Sequence, residues 1–294
     1  MNLLNKLDVF FLSNHSKKRI EKIILYLALF GFFIHLFLIF ISKQNTLILF
    51  SSSELFKNPI SAIYTPFSFI LIYEVYLLIY YLPRSFTTYI TKQYEIITLI
   101  IIRKLFKDLS NLELSSDWFS IKGDLQFTYD LIASIILFYL IYLFVKQGSN
   151  KTKVSSENKI QFDRFIRRKK RIALVLIPIF FSMASITLFN WSSSISFRSD
   201  DLPSFETINN LFFDEFFTVL ILVDVVLLLI SFFYTDQFHR IMRNSGFVVS
   251  TILIRISFGV QGLTSTILIL VAVIFGLLII TIHNKFKNNI FLNT

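Results

Sequence analysis

LTSTILILVAVIFGLLIITI, residues 263–282, runs without a single charge. A helix needs about 20 mostly apolar residues to cross the hydrocarbon core of a bilayer, because each residue advances only about 1.5 Å. This stretch meets that length. Its flanks fit as well, with Gln261 and Gly262 before it and His283, Lys285 and Lys287 after it. Moving toward the N-terminus, runs of the same kind recur at 236–258, 212–234, 172–191, 125–146, 86–108, 60–82 and 20–42. Six of the eight are plainly apolar. The third and seventh carry polar inner turns, with Arg84, Lys92 and Gln93 in one and Asp236, His239, Arg240 and Arg243 in the other. Pro83 falls between spans two and three, where it breaks the chain into two helices. These runs predict an all-α, polytopic integral membrane protein.

Composition agrees with this class. Of 294 residues, 54% are hydrophobic and 16% are charged, and 36 are Phe. Soluble domains carry about 25% charged residues, so most water-soluble folds and disordered chains are excluded. The 29 basic residues against 19 acidic ones give a net charge of +10. In a membrane protein this excess marks cytoplasmic loops rather than nucleic-acid binding. No cysteine is present, which excludes disulfides and thiolate metal sites, and four unmatched histidines offer no metal site. We therefore expect no cofactor and no metal.

Charge placement sets the orientation. Lys17, Lys18 and Arg19 precede span one, a dense basic run from Lys146 to Arg171 follows span four, and Lys285 and Lys287 follow span eight. With those segments cytoplasmic, both termini lie inside. The acids Glu113, Asp117, Asp200, Asp201 and Glu206 and the tryptophans Trp118 and Trp191 then fall on the outer side. No cleavage signal follows span one, so it reads as a retained helix. The abundance of Ile, Phe, Asn and Lys suits an AT-rich bacterial genome and hence an inner membrane.

The chain repeats itself. KKRI opens span one at 17–20 and span five at 169–172, an offset of 152. FSFILIYEVYLLI (67–79) aligns with FTVLILVDVVLLL (217–229), superposing Glu74 on Asp224. IITLIIIR (96–103) aligns with VVSTILIR (248–255), superposing Arg103 on Arg255. Gly123 aligns with Gly262 and Lys146 with Lys285. Four spans per unit is an even number, so the units form parallel repeats about an axis along the membrane normal. The expected organisation is an amphipathic segment at 1–16, one four-helix repeat at 17–146, a basic linker at 147–168, a second repeat at 169–284 and a short tail at 285–294.

Ionisable groups inside a bilayer are costly and mark function. Counted from the outer ends at about 1.5 Å per residue, Glu74 and Glu95 lie about 20 Å deep and Asp224 about 18 Å deep. Arg103, Asp130 and His35 lie near 8 Å by the same count. This predicts an inner layer of neighbouring carboxylates (Glu74 with Glu95, and Asp224 in the other half) that line an ion path; the alternative is that Glu95 meets Lys92 or Arg84 near a wet inner surface and Glu74 is paired across helices. It also predicts an outer Arg103–Asp130 pair with His35 nearby and Arg255 as the second half's counterpart. Arg167, Arg168, Lys169, Lys170 and Arg171 are expected to meet anionic lipid headgroups or a partner. Further partners would be a second copy of the chain or other membrane subunits.

No phosphate-binding loop, dinucleotide fingerprint, zinc-protease helix, hydrolase elbow or calcium loop occurs, and no potassium-channel filter. Spans four and eight carry no ladder of basic residues, which sets voltage sensing aside. With seven glycines and no GxxxG, no glycine-faced helix crossing is expected. The expectation is transport of a proton or small cation, not an enzyme. A non-conducting scaffold holding partner proteins is the alternative.

Overall fold

The structure is a computed structural model that describes residues 3–43, 59–110, 122–148, 159–194, 205–234, 237–260 and 262–292. Among the described residues it is all-helical, with nine α-helices: α1 (Leu3–Leu12), α2 (Asn14–Lys43), α3 (Tyr64–Tyr81), α4 (Phe86–Ser110), α5 (Lys122–Gly148), α6 (Lys159–Ser194), α7 (Phe205–Phe232), α8 (Phe238–Phe258) and α9 (Leu263–Leu292). A 3-10 turn at Pro59–Ile63 leads into α3. Five helices are long and apolar enough to cross a bilayer: α2, α5, α7, α8 and α9. The apolar part of α3, Thr65–Tyr81, is shorter. In α4 the charges Lys92, Glu95, Arg103 and Lys104 interrupt the apolar run. The expected span 172–191 lies within α6. The outer-loop residues Glu113, Asp117, Trp118, Asp200 and Asp201 lie outside the described residues.

Helices suit this solvent because each backbone N–H finds its carbonyl within the same segment, which lipid cannot supply. Breaks come from local chemistry. Ser13 separates α1 from α2, its Oγ accepting from Ser16 N at 3.1 Å. Pro83 sits in the turn after α3, and Ser85 Oγ then accepts from Thr88 N at 3.1 Å to start α4. Gly262, in the turn before α9, has φ +73°, a backbone conformation that side chains with a Cβ disfavour.

The bundle buries its most polar spans. α4 packs against α3, α5 and α8, and places Tyr89, Ile90, Thr91, Gln93, Tyr94, Ile96, Ile97, Thr98 and Ile101 in the interior. α8 buries Asn244, Phe247, Ser250, Thr251 and Ser257. The two helices meet where Tyr94 donates to Ser250 Oγ at 2.7 Å, and Ser250 donates on to Ala272 O of α9 at 2.7 Å. The peripheral helices instead turn large apolar side chains outward: Phe30, Phe33 and Phe37 on α2, Phe138 and Tyr139 on α5, and Phe181 and Phe189 on α6. An exposed band of this kind is a lipid-facing surface.

Residues 159–168 of the basic linker are helical and run on into α6, which starts at Lys159. Residues 285–292 continue α9. One expectation is corrected here. Close helix approach does occur at single glycines: a Cβ on Gly246 would meet Ile279 Cγ1 at 2.7 Å, and a Cβ on Gly276 would overlap the Tyr94 hydroxyl. Neither needs a GxxxG pair, since a single missing side chain admits one bulky neighbour. The amphipathic segment does form a helix, α1. It is tied down by Tyr76 donating to Phe11 O at 2.7 Å and by Lys170 Nζ 2.7 Å from Asp8 Oδ2.

Candidate functional site

Between helices in lipid there is little hydrophobic drive, so polar contacts and close packing hold the bundle together. The intramembrane acids provide those contacts, in arrangements that depth counting did not foresee. Glu74 of α3 accepts from Arg103 Nη2 of α4. The expected Arg103–Asp130 pair does not form. Asp130 of α5 is met instead by the next residue on α4, Lys104, with Nζ 2.7 Å from Oδ2. Thr266 Oγ1 of α9 and Gln126 Nε2 donate to Asp130 Oδ1 at 2.5 and 2.9 Å. The physical reason is reach. A long arginine side chain spans the height difference counted between Cα atoms, and a buried charge is far too costly to leave without a partner.

Of the two arrangements expected for Glu74 and Glu95, the structure has the second, with Glu95 on Lys92 and Glu74 paired across helices, and not the carboxylate pair. Glu95 turns to Lys92, three residues earlier on its own helix, at 2.5 Å. Its side chain is 38% exposed, so it lies at the bundle's surface rather than on an interior path. His35 is buried but its Nδ1 meets Thr65 Oγ1 at 2.7 Å, tying α2 to α3. Arg255 donates from Nε to Thr218 Oγ1 of α7 at 3.3 Å. With Met183, Glu215 and Val219 it lines a shallow groove.

Asp224 of α7 is different. Its side chain is 2% exposed, and Gln93 Nε2 of α4 donates to Oδ2 at 3.1 Å. Oδ1 has no hydrogen-bond partner among the described residues. The buried Tyr89 hydroxyl lies beside this carboxylate without reaching hydrogen-bond geometry. A cavity of about 10 Å³ is lined by Gln93, Asp224 and Thr251 together with Ile97, Phe217, Leu220, Ile221 and Ile254. One water centre fits such a volume, with polar partners on its wall.

Lys169 supplies the nearest positive charge, and the sequence placed it wrongly. It was expected on the surface with Arg167, Arg168, Lys170 and Arg171, yet it is 1% exposed. Its Nζ donates to Arg84 O at 2.6 Å and lies over the rings of Phe86 and Phe165. Burial pushes the amine down to about 7, while the Asp224 carboxylate pulls it back up. Arg167, Arg168 and Arg171 are exposed, as expected. Gln93, Tyr89 and Thr251 were not singled out in the sequence. Their signal was present in the polar turns of the two weak spans, which read there as a defect of hydropathy.

Among the described residues no group of three or more His, Cys, Asp or Glu side chains could hold a metal ion. Compared with known protein families, curated proteins and solved structures, the chain matches none of them.

Proposed function

We propose that this chain is a multi-pass inner-membrane transport protein that moves protons or a small cation, with Asp224 as the group that carries the charge. The observation that supports this most is the setting of Asp224. It is a fully buried carboxylate held by a neutral amide, with the Tyr89 hydroxyl beside it, and it lines a cavity the size of a water. Elsewhere in the bundle the acids are neutralised in place. A carboxylate that takes a proton and gives it back needs no salt bridge to break, and a water beside it gives the proton somewhere to go. Glu74 and Asp130 then act as fixed ties, and the path expected through Glu74 and Glu95 is replaced by one at the α4–α7–α8 junction.

The same proposal takes the chain as eight spans in two parallel four-helix halves, with both termini cytoplasmic. Packing supports the repeat: α4 meets α8 and α5 meets α9, so the third and fourth helices of one half touch their counterparts in the other. Halves related by an axis along the membrane normal meet in this way. Arg167, Arg168 and Arg171 would face anionic headgroups, and the apolar face of α2 is available to a second copy or a partner subunit.

Proton and potassium flux in liposomes containing the purified protein tests the reading. Wild-type protein should dissipate an imposed gradient, and Asp224→Asn should lose at least about tenfold, which corresponds to about 1.4 kcal/mol of barrier. Flux unchanged in Asp224→Asn would reject the site. A second reading, a non-conducting scaffold, is favoured by the pairing of Glu74, Glu95 and Asp130 with basic residues. Absence of flux under any gradient would decide for it.

A further inference from the structure

Four basic side chains of the bundle are matched to acids: Arg103 to Glu74, Lys104 to Asp130, Lys92 to Glu95, Lys170 to Asp8. One cluster breaks the pattern. Where the first two turns of α8 meet the last turns of α9, the rings of His239 and His283 pack with centroids 5.1 Å apart. His283 Nδ1 lies 3.0 Å from His239 O. A carbonyl only accepts, so Nδ1 carries the proton and Nε2 is left as an acceptor. Arg243 Nη1 donates to that Nε2 at 3.4 Å, while its Nε and Nη2 donate to Asn244 Oδ1 at 3.2 and 3.0 Å. The partners of this guanidinium, Asn244 and His283, are therefore neutral. Arg240 and Lys287 lie within electrostatic range of the same group. Among the described residues no carboxylate pairs with Arg240, Arg243 or Lys287.

Positive charge gathered at the start of a helix also opposes the helix dipole, whose N-terminal end is already positive. The amide groups of that first turn point the same way, and Gln237 at the N-cap provides no side-chain cap. Charge of one sign, held half-buried without a counter-charge among the described residues, is suited to an anion from outside. The surroundings say which kind. Phe238 and Met242 on α8 and Ile282 and Phe286 on α9 are exposed on the same turns. Such side chains sit against acyl chains, not water.

We propose that this cluster binds the phosphate-bearing headgroup of an anionic phospholipid, with Arg240 and Arg243 on the phosphate and the acyl chains over Phe238, Met242 and Phe286. Basic pockets between helices at the cytoplasmic interface are suited to such headgroups. The cluster is built on α8 and α9, whereas Arg167, Arg168 and Arg171 belong to α6.

The test uses the full-length protein in dodecyl maltoside, titrated with phosphatidylglycerol, phosphatidylcholine or inorganic phosphate, with bound lipid counted by native mass spectrometry. Wild type should retain phosphatidylglycerol in preference to phosphatidylcholine. The Arg240→Gln/Arg243→Gln variant should lose about tenfold in apparent affinity, while Arg167→Gln/Arg168→Gln keeps it. Equal retention of the two lipids, or equal binding by the Arg240→Gln/Arg243→Gln variant, would overturn the proposal. So would displacement of the lipid by millimolar phosphate, which would mark a site for a free anion. If the double variant fails to fold, Lys287→Gln decides: weaker phosphatidylglycerol binding supports the site, and unchanged binding contradicts it. Flux plays no part in this measurement, so its outcome is independent of the transport reading.

Discussion

Glu74 and Asp224 occupy matching positions in the aligned stretches of sequence, yet the fold gives them different partners. In the first half, Glu74 is taken by Arg103 of the neighbouring helix. In the second, the matching arginine, Arg255, donates to Thr218, and Asp224 reaches instead to Gln93 of the first half. The same pair of residue types thus produces a closed ion pair on one side and an acid held by neutral donors on the other. In lipid this difference is large. An ion pair satisfies both charges and fixes two helices, whereas a carboxylate held by neutral donors keeps its chemistry available.

The largest expected effect comes from breaking the closed pair. Arg103→Ala leaves Glu74 buried without its partner and should destabilise the protein by about 3–5 kcal/mol, read as thermal unfolding in detergent. The matching change in the other half, Arg255→Ala, should fall within about 0.5 kcal/mol, because Arg255 lies at a groove near the surface. Equal losses would remove the asymmetry. Next in size is Gly276→Ala, which drives a methyl into the buried Tyr94 hydroxyl at the junction between the halves. It should cost about 1–3 kcal/mol by overpacking, and Tyr94→Phe in the same chain should restore part of that loss.

Thr266→Val should cost about 1–2 kcal/mol, since it removes a hydroxyl that donates to Asp130 across α5 and α9. A further effect concerns pH. Lys169 has its proton affinity lowered on folding, from 10.5 to about 7. Between those values the unfolded chain binds more protons than the folded one, so stability rises as pH goes from about 7 toward 10.5. Lys169→Met should flatten that rise relative to wild type. An unaltered slope would mean that the amine is not buried beside Asp224.

Helices and the lipid-facing class were legible in the sequence because they depend on local facts: run length and Pro83. The placement of α4 and α8 at the centre was not legible. Their polar residues lower the mean hydropathy of a span, and that average does not reveal whether a polar face is covered by neighbours. The acid partners were misassigned for a related reason. Depth counted on straight helices orders Cα atoms, yet Arg103 and Lys104 are adjacent residues that point to different helices, and long side chains cross the intervals. Lys169 was hidden within a run of five basic residues, and only packing against Phe86 and Phe165 separates it from its exposed neighbours. The sequence alignment set Glu74 beside Asp224, but what holds Asp224 depends on Gln93 of α4.

The most direct measurement is labelling with dicyclohexylcarbodiimide in native membranes, followed by peptide mapping. This apolar reagent adds to carboxyl groups that take up a proton inside the bilayer. An adduct on Asp224, with Glu74 and Asp130 unlabelled, is the result expected if Asp224 alone is free to exchange its proton. An adduct on Glu74 as readily as on Asp224, or none on Asp224, would contradict it.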